Sequence, residues 1–213
     1  MYQPRHFSES DATRIRDLIT ASPLATLIVV EDDRPVVNHI PFILAGALQE
    51  GASLQAHIPR ANPLSKILQT PRQSIAVFHG PEGYISPSWY ATKPKHGKVV
   101  PTWNYAVVHV HGIAGVVDDP DWVRRQMDAL TNQQESPRSK PWDVADAPDD
   151  YISALPRSLV GVELSIERIE AKTKASQNQP EENQVSVLEW VGREQVGTKL
   201  AGFMRTVLND LDA

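Results

Sequence analysis

The chain has no cysteine among its 213 residues. That absence excludes disulfides, thiolate metal sites, iron–sulfur clusters and cysteine nucleophiles. Long apolar runs are also missing, since no stretch approaches the roughly 18 consecutive apolar residues of a membrane span. Positive charge is not in excess, because 21 Lys and Arg stand against 26 Asp and Glu, a formal net charge of −5. Any contact with nucleic acid therefore requires a local basic patch.

The composition itself is ordinary, with 41% hydrophobic and 22% charged residues. Such values are typical of globular proteins. The first six residues lack the apolar segment of a signal peptide. We therefore expect a soluble, cytoplasmic protein that has no contact with a membrane.

Short β-branched segments between polar turns predict a mainly antiparallel β fold. The first three predicted strands are joined by short turns as a meander, and three further strands follow. The predicted strands cover 24–30, 36–44, 53–58, 74–78, 102–117 and 159–169. Helices are predicted between strands and from about Pro180 onward. This pattern favours a β-barrel with helical flanks. We expect a barrel domain over 1–180 and a helical extension over 181–213.

The segment His57-Ile58-Pro59-Arg60-Ala61-Asn62-Pro63 predicts an anion site, because a strand there gives way to a turn and a helix start. Backbone N–H groups at a helix start favour phosphate, and an arginine adds a forked cationic donor. The alternative is that Asn62 simply caps the helix while Arg60 is a solvated surface charge.

A long loop is predicted over 80–98, and its prolines and glycines restrict the backbone. Its hydroxyls, Ser86 and Ser88, and its aromatic residues suit a flat heterocyclic ligand. The alternative is a packed loop that covers one end of the barrel.

The cationic segment 93–98 precedes the triplet Trp103-Asn104-Tyr105, which lies at the start of a predicted strand. Strand alternation places Trp103 and Tyr105 on one face and Asn104 on the other. The alternative is a solvated basic turn with core aromatic residues behind it.

Histidines offer a weaker alternative, a metal site. His109 and His111 share one face of a predicted strand, and with His39 or His57 they would make a three-nitrogen site for zinc or iron. Histidines on strands are more often packed or hydrogen-bonded, so we predict no metal.

Taken together, these motifs resemble the PaiB family of FMN-binding negative transcriptional regulators. The resemblance covers about residues 2–180. It rests on His39-Ile40-Pro41, Arg60-Ala61-Asn62-Pro63, the segments 84–90 and 96–105, and Ser176-Gln177-Asn178. One departure is that Asn178 is followed by Gln179-Pro180, where members of the family often have Arg after the Asn. The missing Arg weakens the case for an anionic group at that point.

The resemblance implies a split β-barrel, similar to pyridoxamine-phosphate oxidases and small flavin reductases, with FMN in a groove between the two subunits of a homodimer. It implies that the turn at Arg60 and Asn62 holds the FMN phosphate, and that Ser176-Gln177-Asn178 lies near the flavin ring. The cofactor-binding residues it predicts are His39, His57, Arg60, Asn62, Ser86, Ser88, Lys98, Trp103, Asn104, Tyr105, Ser176, Gln177 and Asn178.

Three functions remain open at this point. The first is an FMN-binding homodimeric regulator in which flavin occupancy or redox state alters the dimer. Direct contact with DNA has little support, because the net charge is negative and no basic recognition helix is evident. The second is a flavin-dependent oxidoreductase that uses FMN for electron or hydride transfer. The third is a domain that has lost its cofactor site and acts through partner contacts.

Overall fold

The computed structural model describes residues 1–48, 51–194 and 198–209. Within these residues the chain forms eight strands and seven α-helices. The strands are β1 (Ser8–Glu9), β2 (Leu24–Glu31), β3 (Arg34–Pro41), β4 (Ile43–Ala45), β5 (Ser53–Pro59), β6 (Arg72–Ile85), β7 (Thr102–Val117) and β8 (Leu159–Lys174). The helices are α1 (Ala12–Ala21), α2 (Leu64–Ile67), α3 (Lys93–His96), α4 (Pro120–Glu135), α5 (Asp149–Ala154), α6 (Glu181–Glu194) and α7 (Leu200–Asn209).

The strands form one antiparallel sheet in the order β3-β2-β6-β7-β8-β5-β4, and β1 pairs separately with the end of β8. The two end strands of this order, β3 and β4, are consecutive in the chain and are separated only by Phe42. That connection brings the two edges of the sheet together, which is the topology of a barrel.

The chain divides into two compact units. The barrel unit consists of Arg16–Phe78 and His109–Ile169. In its strand β2, alternate side chains are fully buried at Ala25, Leu27 and Val29. This period of two is what a sheet with one buried face requires.

The terminal unit consists of Met1–Ile15, His79–Val108 and Glu170–Ala213. Its core combines the segment after β6 with the two C-terminal helices. The buried members are Ile85, Tyr90, Ala175, Val187, Val191, Leu200, Met204 and Leu208. In the described residues, α6 and α7 lie where helices are predicted from about Pro180 onward, and the domain boundary at residue 180 stays a prediction.

The predicted three-stranded meander is only partly right. β2 pairs with β3 and β4 pairs with β5, as the meander requires, but the predicted strand 36–44 is broken after Pro41 into β3 and β4. Phe42 continues the β2–β3 register by donating its N–H to the Pro23 carbonyl, but Pro23 has no N–H to donate in return, so the ladder ends there. β5 pairs with β8 on its other side, which the meander did not predict.

Two boundaries also differ from the sequence prediction. The predicted loop over 80–98 begins later, because β6 continues to Ile85. The predicted strand over 159–169 continues to Lys174. Residues 170–174 of β8 are mostly polar and include two lysines, so the sequence pattern did not indicate that the strand continues there. No helix in the described ranges has the length and apolar character needed to span a membrane.

Candidate functional site

A cavity of about 270 Å³ opens in the terminal unit. Its walls come from the segment before β7, the start of β7, and the end of β8 with the turn that follows. The lining residues are Phe7, Tyr90, Lys98, Val99, Val100, Pro101, Thr102, Asn104, Lys174, Ser176, Asn178 and Gln179. Its volume is close to the lower end of the range for small-molecule pockets.

An unsatisfied amide lies in the wall of this cavity. Asn104 is fully buried, and its Nδ2 donates to the Ser176 Oγ over 2.8 Å. Its Oδ1 is buried without a hydrogen-bond partner among the described residues. If the side-chain amide is turned over, its oxygen accepts from Ser176 and its nitrogen has no partner instead. One amide atom of Asn104 therefore lacks a hydrogen bond in either orientation. Buried polar atoms are nearly always paired, and an exception in a cavity wall is a place where a ligand would bond.

The partner of this amide has an unusual backbone. Ser176 is buried and has φ of +67°, a left-handed conformation that is uncommon outside glycine. Such strained residues concentrate at ligand sites, where the surrounding structure holds them in place. Here the turn after β8 points the Ser176 hydroxyl at the Asn104 amide.

The cavity is electropositive. Lys98 and Lys174 line it, and no Asp or Glu is among its lining residues. The Lys174 Nζ donates to the Thr102 Oγ1 and lies 5.8 Å from the centre of the Phe7 ring. Burial, and secondarily the positive charge of Lys172, lower the pKa of Lys174. An anion in the cavity would oppose this shift, because a nearby negative charge favours the charged form of the lysine.

The remaining wall is apolar, and one of its members also carries a hydroxyl. Tyr90 is 4% exposed, and burial raises the pKa of its hydroxyl, which keeps it protonated at neutral pH. Val99 packs against the core of the terminal unit beside it. The arrangement suits a ligand with a flat apolar body, hydrogen-bonding edges and a negative charge.

Four of the predicted cofactor residues line this cavity: Lys98, Asn104, Ser176 and Asn178. Trp103 and Tyr105 do not line it. Burial alternates as expected along β7, with Asn104 buried between the exposed Trp103 and the half-buried Tyr105. On that other face, Trp103 forms an edge-to-face ring pair with Tyr84, with centroids 6.2 Å apart.

Three more predicted residues are engaged in local hydrogen bonds. The Ser86 Oγ accepts from the Ser88 backbone N–H, and the two hydroxyls lie 2.7 Å apart. Gln177 accepts from the Ala175 N–H and donates to the Thr173 carbonyl, which ties its amide to the backbone of its own turn.

In the barrel unit, the guanidinium of Arg60 is already paired. It donates to both carboxylate oxygens of Asp118, over 2.7 and 2.9 Å, and to the carbonyls of Arg157 and Leu159. Hydrogen bonding to Asp118 raises the Arg60 pKa and lowers that of Asp118. A phosphate at Arg60 would compete with this carboxylate.

Asn62 has the contacts of a helix cap. Its Oδ1 accepts from the Leu64 N–H over 3.0 Å, and its Nδ2 donates to the Asn38 Oδ1. The helix that follows, α2, has only four residues. Its macrodipole is therefore small.

The predicted histidines are held separately. The His57 ring bonds with the buried Gln126 of α4, whereas the exposed His39 ring bonds with Thr26 Oγ1. His109 and His111 lie on β7 with ring centroids 6.3 Å apart. Among the residues that the structure describes, neither His39 nor His57 joins them in a three-ligand group, so the suggested three-histidine site does not form.

Sequence reasoning missed Lys174, Tyr90, Thr102 and Gln179 as cavity residues. Lys174 is the last residue of β8 and stands two residues before Ser176, which lies in the turn that follows, so a strand running to Lys174 would have brought it close to the predicted site. That signal depended on extending β8 to Lys174, and the polar composition there argued against doing so.

The fold is that of the split β-barrel class, and comparison with known proteins shows that the chain belongs to a flavin-binding family of this class. Residues 1–168 match the family model described as "Putative FMN-binding domain". The chain belongs to this family, which confirms the predicted fold class and the predicted cofactor, FMN. The resemblance to PaiB is also confirmed.

Several relatives match over nearly the whole chain. The protease synthase and sporulation protein PAI 2 of Bacillus subtilis is 28% identical, with 92% of this chain and 91% of that protein covered. An uncharacterized protein of Aspergillus fumigatus is 30% identical, with 97% and 96% covered. Among solved structures, the FAD and heme binding protein of Mycobacterium smegmatis has a TM-score of 0.57 at 19% identity, with 78% of this chain and 73% of that one covered.

Proposed function

We propose that this protein is a homodimeric, FMN-binding negative regulator of transcription whose cavity at Asn104 holds part of the flavin. The observation that carries the flavin assignment is the buried Asn104 amide, which has one unpaired atom in an electropositive pocket. The pyrimidine edge of a flavin offers both an N–H donor and carbonyl acceptors, so it can satisfy that amide in either orientation.

When bound, FMN supplies one- and two-electron redox chemistry. The chain's own residues then have separate roles. Asn104, oriented by Ser176, recognises a polar edge, while Lys98 and Lys174 provide positive charge. Tyr90 contributes a neutral donor in an otherwise apolar wall.

The homodimer is supported by an apolar face of the barrel unit. In the hairpin of β2 and β3, Ile28 pairs with Val37, and Leu24 pairs with Pro41. Leu24, Val30 and Val37 are 60%, 52% and 53% exposed on the face opposite the core. Exposed apolar side chains on one sheet face are typical of an interaction surface, and here they flank the polar Thr26–His39 pair. A second copy of the chain is the occupant that the family resemblance implies.

The regulatory role draws on the PaiB relationship. Support for direct DNA binding is weak, because Arg205 is the single cation in α7 (Leu200–Asn209) and the chain is acidic overall. We therefore favour control through the flavin-dependent state of the dimer. The test compares transcripts in a strain that lacks the gene with a strain carrying the Asn104→Leu variant. We expect the same transcripts to rise in both strains. Unchanged transcripts in the deletion strain would reject the regulatory role.

The second candidate is a flavin-dependent oxidoreductase. It is favoured by the cavity rim, where Lys98 and Val100 are exposed, so that a second molecule can approach a flavin inside. A solved structure with this fold is named as a FAD and heme binding protein, and these are redox cofactors, which is in keeping with an oxidoreductase. Oxidation of NADPH by the FMN-loaded protein, followed at the nicotinamide absorbance band, distinguishes the two candidates. A rate no higher than that of free FMN removes the reductase version.

A further inference from the structure

Two lysines give the cavity a charge that the described residues do not neutralise. Lys95, in the same basic segment as Lys98, pairs with Glu182. Lys98 and Lys174, by contrast, have no carboxylate partner in the described part of the chain, and both line the cavity. Cations placed in a pocket without counter-charges indicate that the ligand brings the negative charge.

The position of Lys174 makes this more specific. Its ammonium is partly buried, contacts one hydroxyl, that of Thr102, and lies over the face of Phe7. Lys172, two residues earlier on β8, adds a second positive charge nearby. Holding a partly desolvated lysine beside another lysine costs free energy, and a bound anion offsets this cost.

Polar groups for such an anion are present on the same walls. Tyr90, which carries a protonated hydroxyl, lines the cavity, and Asn178 and Gln179 lie in the turn after β8. Asn104 provides the independent sign of a ligand, since it is fully buried and one of its amide atoms has no partner. An anion that also carries a hydrogen-bonding group would satisfy the lysines and the amide together.

We propose that the cavity contains an anion subsite formed by Lys174 and Lys98, which takes a phosphate or carboxylate group. This inference rests on the proposed flavin site and moves the main anion contact from Arg60, which Asp118 occupies, to Lys174. The phosphate of FMN and a separate small anion share this chemistry, and the experiment distinguishes the two sources.

The test uses the full chain and three ligands: FMN, riboflavin and inorganic phosphate. Flavin affinities are measured by fluorescence titration, and phosphate binding by the shift it causes in the thermal unfolding temperature. The variants are Lys174→Met and Lys98→Met, with Arg60→Met as the competing site. Lys95→Met is the matched control, because it removes the same charge from the same segment but away from the cavity. Lys98 is exposed, so its variant keeps the test valid if Lys174→Met fails to fold.

If the cavity holds the FMN phosphate, Lys174→Met weakens FMN about tenfold or more and leaves riboflavin unchanged. If it holds a separate anion, Lys174→Met leaves FMN unchanged but abolishes the phosphate-induced shift. Either result supports the subsite. The inference is overturned if the Lys174 and Lys98 variants behave like Lys95→Met in both assays, or if only Arg60→Met separates FMN from riboflavin. A wild-type chain that binds no flavin defeats the proposed function, while the phosphate arm still tests the subsite.

Discussion

Arg60 and Asp118 form a two-bond ion pair that occupies the guanidinium expected from the sequence to bind phosphate. The pair lies on the surface of the barrel unit, and both side chains are well exposed. The carboxylate that competes for Arg60 comes from the end of β7, 58 residues away in the chain. Single-sequence reasoning had no means of pairing these two positions.

This ion pair predicts a specific dependence of stability on pH. Asp118 has a folded-state pKa below its ordinary value of 3.8, chiefly through hydrogen bonding to Arg60. A lowered folded pKa means that the unfolded chain takes up the proton more readily. The stabilisation is therefore present at neutral pH and is lost as pH falls below about 4. Asp118→Asn should lower the unfolding temperature slightly at pH 7 and match the wild type in strong acid. A difference that is constant over this range would contradict the assignment.

Two buried asparagines of the terminal unit provide a matched test of hydrogen bonding. Asn183 is fully used, because its Oδ1 accepts from the Thr92 N–H and its Nδ2 donates to Thr92 and Gln179. Asn104 has one unpaired atom. Asn183→Leu leaves the buried polar groups of Thr92 and Gln179 without their hydrogen-bond partner. It should reduce the free energy of unfolding by about 2–3 kcal/mol. Asn104→Leu should change it by less than about 1 kcal/mol. Equal losses in chemical denaturation would show that Asn104 is fully paired in solution.

The apolar face of β2 and β3 predicts a charge-sensitive dimer. Val37→Lys places an ammonium on that face, where dimerisation would bury it without a partner. We expect light scattering to give the mass of two chains for the wild type and of one chain for this variant. Val185→Lys is the control, because Val185 has the same 53% exposure but lies on α6. A dimer that survives Val37→Lys would place the interface elsewhere.

A glycine of the barrel unit predicts a steric effect. A Cβ at Gly161 on β8 would lie 2.3 Å from Cζ3 of Trp122, which belongs to α4. Gly161→Ala must therefore displace the indole, and overpacking of this kind costs about 1–3 kcal/mol. Gly202→Ala in α7 is the control, since nothing lies within 4 Å of its added methyl group. It should leave stability unchanged or raise it by up to about 1 kcal/mol. Calorimetry of both variants tests this packing.

Local patterns predicted most of the strands and the pairings between consecutive strands, but not the pairing of β5 with β8. Segments between polar turns identified β2, β5 and β7. Pairing between strands distant in the chain leaves no local signal, which is why the meander prediction was only partly right. The end of β8 was missed because Lys172 and Lys174 give it a polar composition that is unusual for a strand, and Lys174 lines the cavity.

For the site, the motifs brought four of the predicted residues into the lining of one cavity, and their contact with the cofactor stays a prediction. The segment 96–105 and the triplet Ser176-Gln177-Asn178 contribute to one cavity, 72 residues apart at Asn104 and Ser176. The alternation of side chains along the predicted strand had already placed Asn104 and Trp103 on opposite faces of β7. Whether Arg60, Asn62 and the histidines also contact the cofactor stays a prediction.

The most direct test of the central claim is a titration of wild-type protein and the Asn104→Leu variant with FMN, followed by quenching of flavin fluorescence. Loss of the Asn104 amide, which has one buried atom without a partner among the described residues, should weaken FMN at least about tenfold, while Asn183→Leu, measured below its unfolding temperature, should bind as the wild type does. Equal FMN affinity in the wild type and Asn104→Leu would contradict the placement of the flavin in this cavity.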